Sequence, residues 1–140
     1  MTSIAHRRRI DTHRLYQFEE LTGAIGPYSN KLRSQPFLRQ LVDRVWTKHG
    51  RKGLPPPAIR FGPGTPVANG RISYCLGYSE IELIASHRTV GVLLHEIVHA
   101  PGYLTHGRGF VRKYFDLLVE YGRCERAPLL LDAKLFKMKV

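Results

Sequence analysis

Residues His95-Glu96-Ile97-Val98-His99 bring together side chains that could do metal chemistry. On a helix, positions i and i+4 share one face, so His95 and His99 can offer two imidazole nitrogens to one ion. Zinc takes such nitrogens at about 2.0–2.1 Å. Glu96 sits about 100° around the helix from His95, where it can reach a water on the ion without ligating it. Seven histidines and seven glutamates in 140 residues give a chance of about 2% that such a pentad arises at random. The flanking Val90, Leu93, Leu94, Ile97 and Val98 predict burial of the remaining helix faces, which would hold the ligands in fixed geometry.

A catalytic zinc centre uses three protein ligands and keeps one position open. Three residues could supply the third ligand: His106, Asp116 and Glu120. His106 is the favoured one, because it follows His99 by seven residues across Pro101-Gly102, a pair that stops a helix and turns the chain. Glu120 reads better as part of a solvated helix face. Tyr103, just past that stop, is a candidate transition-state stabiliser, and an ordinary packing tyrosine is the plainer reading of it. His6, His13, His49 and His87 are read as surface or helix-start residues.

Positioning these groups requires a scaffold. Residues 12–22 predict an amphipathic helix with Asp11 as its cap and Leu15, Phe18 and Leu21 on one side. Ser34 and Pro36 open a second helix that buries Leu38, Leu41, Val42, Val45 and Trp46 and ends at Gly50. Arg39, Arg44 and Lys48 lie off that stripe as a candidate basic face for nucleic acid. Pro55-Pro56-Pro57 is a stiff spacer. Strands are expected at 58–61, 71–76 and 80–84, with turns at Asn69-Gly70 and 77–79. In the last strand Ile81, Leu83 and Ala85 should oppose Glu80, Glu82 and Ile84, and this strand is the expected sheet edge for an extended peptide. Helices follow at 89–100, 110–121 and 128–137. The whole predicts one α+β domain over residues 1–140. Residues 1–50 form its helical part, and residues 58–140 form a small, mainly antiparallel sheet with the catalytic and C-terminal helices.

The net charge of +11 is unevenly spread. Residues 1–60 carry twelve Lys/Arg against four Asp/Glu, residues 61–100 two against three, and residues 101–140 eight against four. A basic frame around a near-neutral centre suits a polyanion such as nucleic acid. No run of 18 apolar residues and no apolar segment after the basic N-terminus is present, so neither a membrane span nor a secretory signal is expected. Cys75 and Cys124 read as two reduced, buried thiols of a cytoplasmic protein.

The pentad followed by His106-Gly107-x-x-Phe110 resembles SprT-like zinc metallopeptidases and their small bacterial and phage-encoded metallohydrolase relatives. The likeness is best over residues 93–122. It implies a minimal zincin-like domain in a bacterial or phage-infected cell, and one Zn²⁺ on His95, His99 and His106. It further implies Glu96 as general base and a protein or peptide substrate. Here Gly109 stands where that family often has an acidic residue, and the connector from His99 to His106 is shorter. Metzincins share the order HExxHxxG but place their third histidine three residues after the glycine, whereas Gly102 to His106 is four, and the only later methionine is Met138. A second resemblance is to YbeY-type endoribonucleases, whose HxxxHxxGYxH order is approached by His95, His99 and Gly102-Tyr103, with His106 one residue later than that pattern places its third histidine. The residue after the first histidine in those enzymes is typically not glutamate, whereas Glu96 is present here, so the peptidase reading ranks first. A non-catalytic zinc-containing nucleic-acid-binding protein is the third reading.

Overall fold

In the computed structural model, residues 4–62, 71–75, 78–100 and 106–140 are described. Residues 63–70, with the turn expected at Asn69-Gly70, residues 76–77, and residues 101–105 with Tyr103 lie outside that set; Tyr78 and Ser79, expected in a turn, belong to a strand. Helix α1 spans Ile4–Leu21. It begins well before the expected start, because the arginines at 7–9 propagate a helix rather than stop it. Asp11 is therefore an interior residue, not a cap. Leu15 and Phe18 are fully buried, but Leu21 is 66% exposed. Gly26-Pro27 does not simply break the chain: it opens a short helix, α2, Gly26–Asn30. Helix α3, Gln35–His49, starts as read, with the Ser34 hydroxyl accepting from the Phe37 amide and Pro36 in the first turn. Leu38, Leu41, Val42 and Val45 are its buried stripe. The Trp46 indole donates to the Leu54 carbonyl at 3.0 Å, which ties the proline-rich connector to α3.

Strands β1 (Ala58–Phe61), β2 (Arg71–Cys75) and β3 (Tyr78–Leu83) form one sheet in the order β1-β3-β2. Strand β2 pairs antiparallel with β3, with Cys75 opposite Tyr78. Strand β1 pairs parallel with β3, with Ile59 opposite Ile81. The sheet is mixed, not mainly antiparallel, and β3 is its centre rather than its edge. Ile81 and Leu83 are fully buried, as a central strand requires. The expected alternation stops there, since Ile84 is buried and Ala85 exposed.

A 3-10 turn, Ala85–His87, leads into α4, Val90–His99, whose Thr89 cap accepts from the Val92 amide. Helix α5 covers Arg108–Tyr121 and α6 Arg126–Leu135. Arg123, just after α5, has φ 54°. The left-handed region there suits glycine, and an L side chain costs roughly 1 kcal/mol. Helix α4 packs on α2, α3, α5 and the sheet. One contiguous core runs from Leu15 and Phe18 of α1 through α3, the sheet, α4 and α5 to Leu129 and Ala133 of α6. No helix among the described residues is long and apolar enough to cross a membrane. Cys124 is a buried free thiol. Its Sγ donates to the Ile25 carbonyl at 3.1 Å, and burial raises its pKa.

Candidate metal centre

Helix α4 carries His95 and His99 one turn apart, and His106 arrives just ahead of α5. The Nε2 atom of His106 lies 3.3 Å from that of His95 and 3.2 Å from that of His99. Two nitrogens bound to one tetrahedral zinc at 2.0–2.1 Å would be about 3.3–3.4 Å apart. The ligand atoms of the three residues all lie within 4.8 Å of one another. Phe110, 1% exposed, packs its ring against all three imidazoles, with centroids 4.9, 4.7 and 4.8 Å from those of His95, His99 and His106.

The other ring nitrogens are also held. His95 Nδ1 lies 2.8 Å from Glu19 Oε2, and His106 Nδ1 lies 2.9 Å from Thr12 Oγ1. Tyr114 donates to the same Glu19 oxygen at 3.0 Å. A carboxylate can only accept, so His95 Nδ1 carries the proton and, in the neutral ring, Nε2 keeps its lone pair. Lone pairs of neutral imidazoles that converge at 3.2–3.3 Å repel one another unless a cation or a proton lies between them. This donor set suits zinc, and an outer carboxylate on a histidine is a common way to aim such a ligand.

Charge reinforces the arrangement. Burial, followed by repulsion from His95 and His99, lowers the His106 pKa to about 3. That imidazole is therefore neutral at any ordinary pH. Burial opposes a proton on His95, but the field and hydrogen bond of Glu19 outweigh it and raise the pKa overall. Glu96 is 5% exposed. Burial raises its carboxyl to about 7; His95 pulls it down and Glu19 pushes it up.

A cleft of about 410 Å³ opens beside His95 and Glu96, lined also by Tyr16, Glu20, Asn30, His87 and Val92. Tyr16 stacks on the His95 ring with centroids 6.2 Å apart and planes 7° from parallel. Burial, then Glu19 and Glu96, raise its phenol pKa, so it keeps its proton.

The sequence points to His95, Glu96, His99 and His106; the fold brings the three histidines together, and Glu96 lines the cleft beside His95. The other third-ligand candidates lie elsewhere. Glu120 accepts from Lys48 at 2.6 Å and lies 2.9 Å from His49 Nε2. The Lys48 hydrogen bond, then that of His49, lowers its pKa to about 2. Asp116 pairs with Arg126 at 2.8 Å. Tyr103 lies outside the described residues. The basic face of α3 is not one face. Arg39 is about 140–180° around the helix from Arg44 and Lys48. It lies over Phe61, Arg44 lies over Tyr121, and Lys48 is paired.

Sequence reasoning missed Thr12, Tyr16 and Glu19. They sit at i, i+4 and i+7 on α1, so the signal was a polar stripe of helical period beside Leu15 and Phe18. In comparison with known proteins, the chain matches no family model, no curated sequence and no solved structure.

Proposed function

We propose that this protein is a zinc-dependent metallohydrolase that cleaves peptide bonds, with His95, His99 and His106 as ligands and Glu96 as general base. One observation carries the reading: three Nε2 atoms converge at zinc-like spacing, with a buried glutamate one residue from the first ligand. Zinc, when bound, lowers the pKa of a water toward about 7 and polarises a substrate carbonyl. Glu96 accepts the water proton and returns it to the leaving amine. A carboxyl raised toward neutrality by burial suits both transfers. Glu19 and Thr12 hold two imidazoles in the ligating orientation. Tyr16 lines the cleft with its proton retained and can donate to a developing oxyanion. Phe110 keeps water from the back of the ligand rings. The likeness to SprT-like enzymes supports the peptidase assignment through the motif alone.

The test is zinc stoichiometry on wild type and His106→Ala, followed by incubation of wild type and Glu96→Gln with an unfolded protein and with RNA. One zinc per chain, lost in His106→Ala, and protein cleavage lost in Glu96→Gln are expected. Full zinc retention without His106 would overturn the ligand set. Cleavage of RNA but not protein would move the assignment to a YbeY-like endoribonuclease. Cleavage of neither substrate, with zinc bound by wild type and by Glu96→Gln and lost in His106→Ala, would leave a structural zinc protein.

A further inference from the structure

We propose that a surface built of arginines laid on aromatic rings binds single-stranded nucleic acid. Six arginine–aromatic pairs occur among the described residues, where about two would be expected for a chain of this length. Five of the six fall on one path. Arg123 lies 4.1 Å over Tyr28 of α2, and Arg33 lies 4.3 Å over the same ring and 4.8 Å over Phe37 of α3. The Arg33 amide then donates to the Arg88 carbonyl at 2.8 Å, which joins the α2–α3 linker to the start of α4. Arg88 lies 5.2 Å over Phe61 of β1, and Arg39 lies 5.0 Å over the same ring. Four guanidiniums and three rings thus follow one another from the end of α5 to β1. A groove of about 500 Å³ continues past Arg39 and Phe61 along β1.

The chemistry of these four arginines points to a ligand. Among the described residues none forms an ion pair with a carboxylate. Arg33 and Arg88 each give one Nη to a backbone carbonyl, that of Tyr28 at 2.9 Å and of Gly62 at 3.1 Å. The Nε atoms of Arg33 and Arg88 are buried without a partner. Arg123 holds its place from a left-handed backbone position that an arginine rarely takes. A guanidinium laid on a ring is oriented by it. Its exposed N–H groups can donate to phosphate, and a face not covered by a ring can take an unstacked base. A single strand presents both, whereas a duplex hides its base faces. The acids at the groove are Glu80, which is paired with Arg60 at 3.0 Å, and Glu82 beside Gly62. The balance of the path stays cationic, in keeping with a net charge of +11.

The test is fluorescence anisotropy at several salt concentrations, with labelled mixed-sequence 12-mers of single-stranded DNA and RNA and a DNA duplex of the same sequence. Wild type should bind at least one single strand more tightly than the duplex. Replacing Arg33, Arg88 and Arg123 together by lysine keeps the charge but loses the flat stack, and should weaken single-strand binding roughly tenfold or more. Arg39→Gln with Arg123→Gln changes two exposed side chains, so it reports even if the lysine triple does not fold. It should weaken binding and flatten the salt dependence by about two phosphates. Arg44→Gln with Lys48→Gln should bind as wild type. Duplex binding as tight as single-strand binding, full affinity in both arginine-path variants, or loss confined to the Arg44/Lys48 pair would each overturn the proposal. So would no binding of any 12-mer at low salt.

Discussion

Glu96 combines burial with an ionisable group, and the two conflict in the metal-free protein. Its folded pKa is raised, from an ordinary 4.5 to about 7. The folded state therefore binds the proton more tightly than the unfolded one. Stability from this group is fully present below pH 4.5 and is lost as pH rises through about 7. Glu96→Gln should make the metal-free protein more stable at pH 8, by up to about 3 kcal/mol, and no more stable at pH 4. Paired thermal melts check this. The same substitution should lower turnover by about 10²–10⁴-fold while zinc is retained. A bound cation favours the carboxylate, so the acid limb of the activity profile should lie below pH 7. Glu19 acts through His95. Glu19→Gln should weaken zinc affinity by about 10–100-fold in a competition titration with a chromophoric chelator, and Thr12→Val should weaken it less.

Helices α4 and α5 were legible because α4 is a short apolar run around its histidines, α5 is amphipathic, and both are well delimited. Thr89 and Ser34 announce their helices through one hydroxyl each. The start of α1, the place of β3 and the contacts of α1 with the three-histidine cluster were not legible. Strand order depends on long-range pairing, and composition does not encode that. Glu19 is separated from His95 by 76 residues, and a local pattern cannot reveal such a contact. Two packing predictions belong at this scale. Phe110→Ala removes the ring shared by three imidazoles and should cost about 3–5 kcal/mol in a denaturant melt. A Cβ at Gly122 would sit 2.6 Å from Ser29 Oγ and 2.8 Å from the Leu118 carbonyl. Gly122→Ala should therefore lose about 1–3 kcal/mol. Gly23→Ala, where nothing lies within 4 Å, should not destabilise the fold.

Across the whole molecule, total charge was legible and its geometry was not. The sequence suggests a basic face on α3, whereas the four arginines of the ring-backed path come from α3 and three separate connecting segments and meet only after folding. Arg123→Gly should relieve the left-handed position and raise stability by about 1 kcal/mol, while weakening single-strand binding. Melting and anisotropy on one sample read both effects. Helix α1 also ties the two ends of the molecule together. Arg14 donates to the Lys137 carbonyl at 3.1 Å, and Thr22 bonds Asp132. The same helix supplies Glu19 and Thr12 to histidines 76 and 94 positions away. These are contacts of high sequence separation, whose loop-closure cost is met late in folding. During refolding, zinc should therefore be captured tightly only in the slowest phase. A chelator added before that phase would strip the ion, and the same chelator added afterwards would act far more slowly.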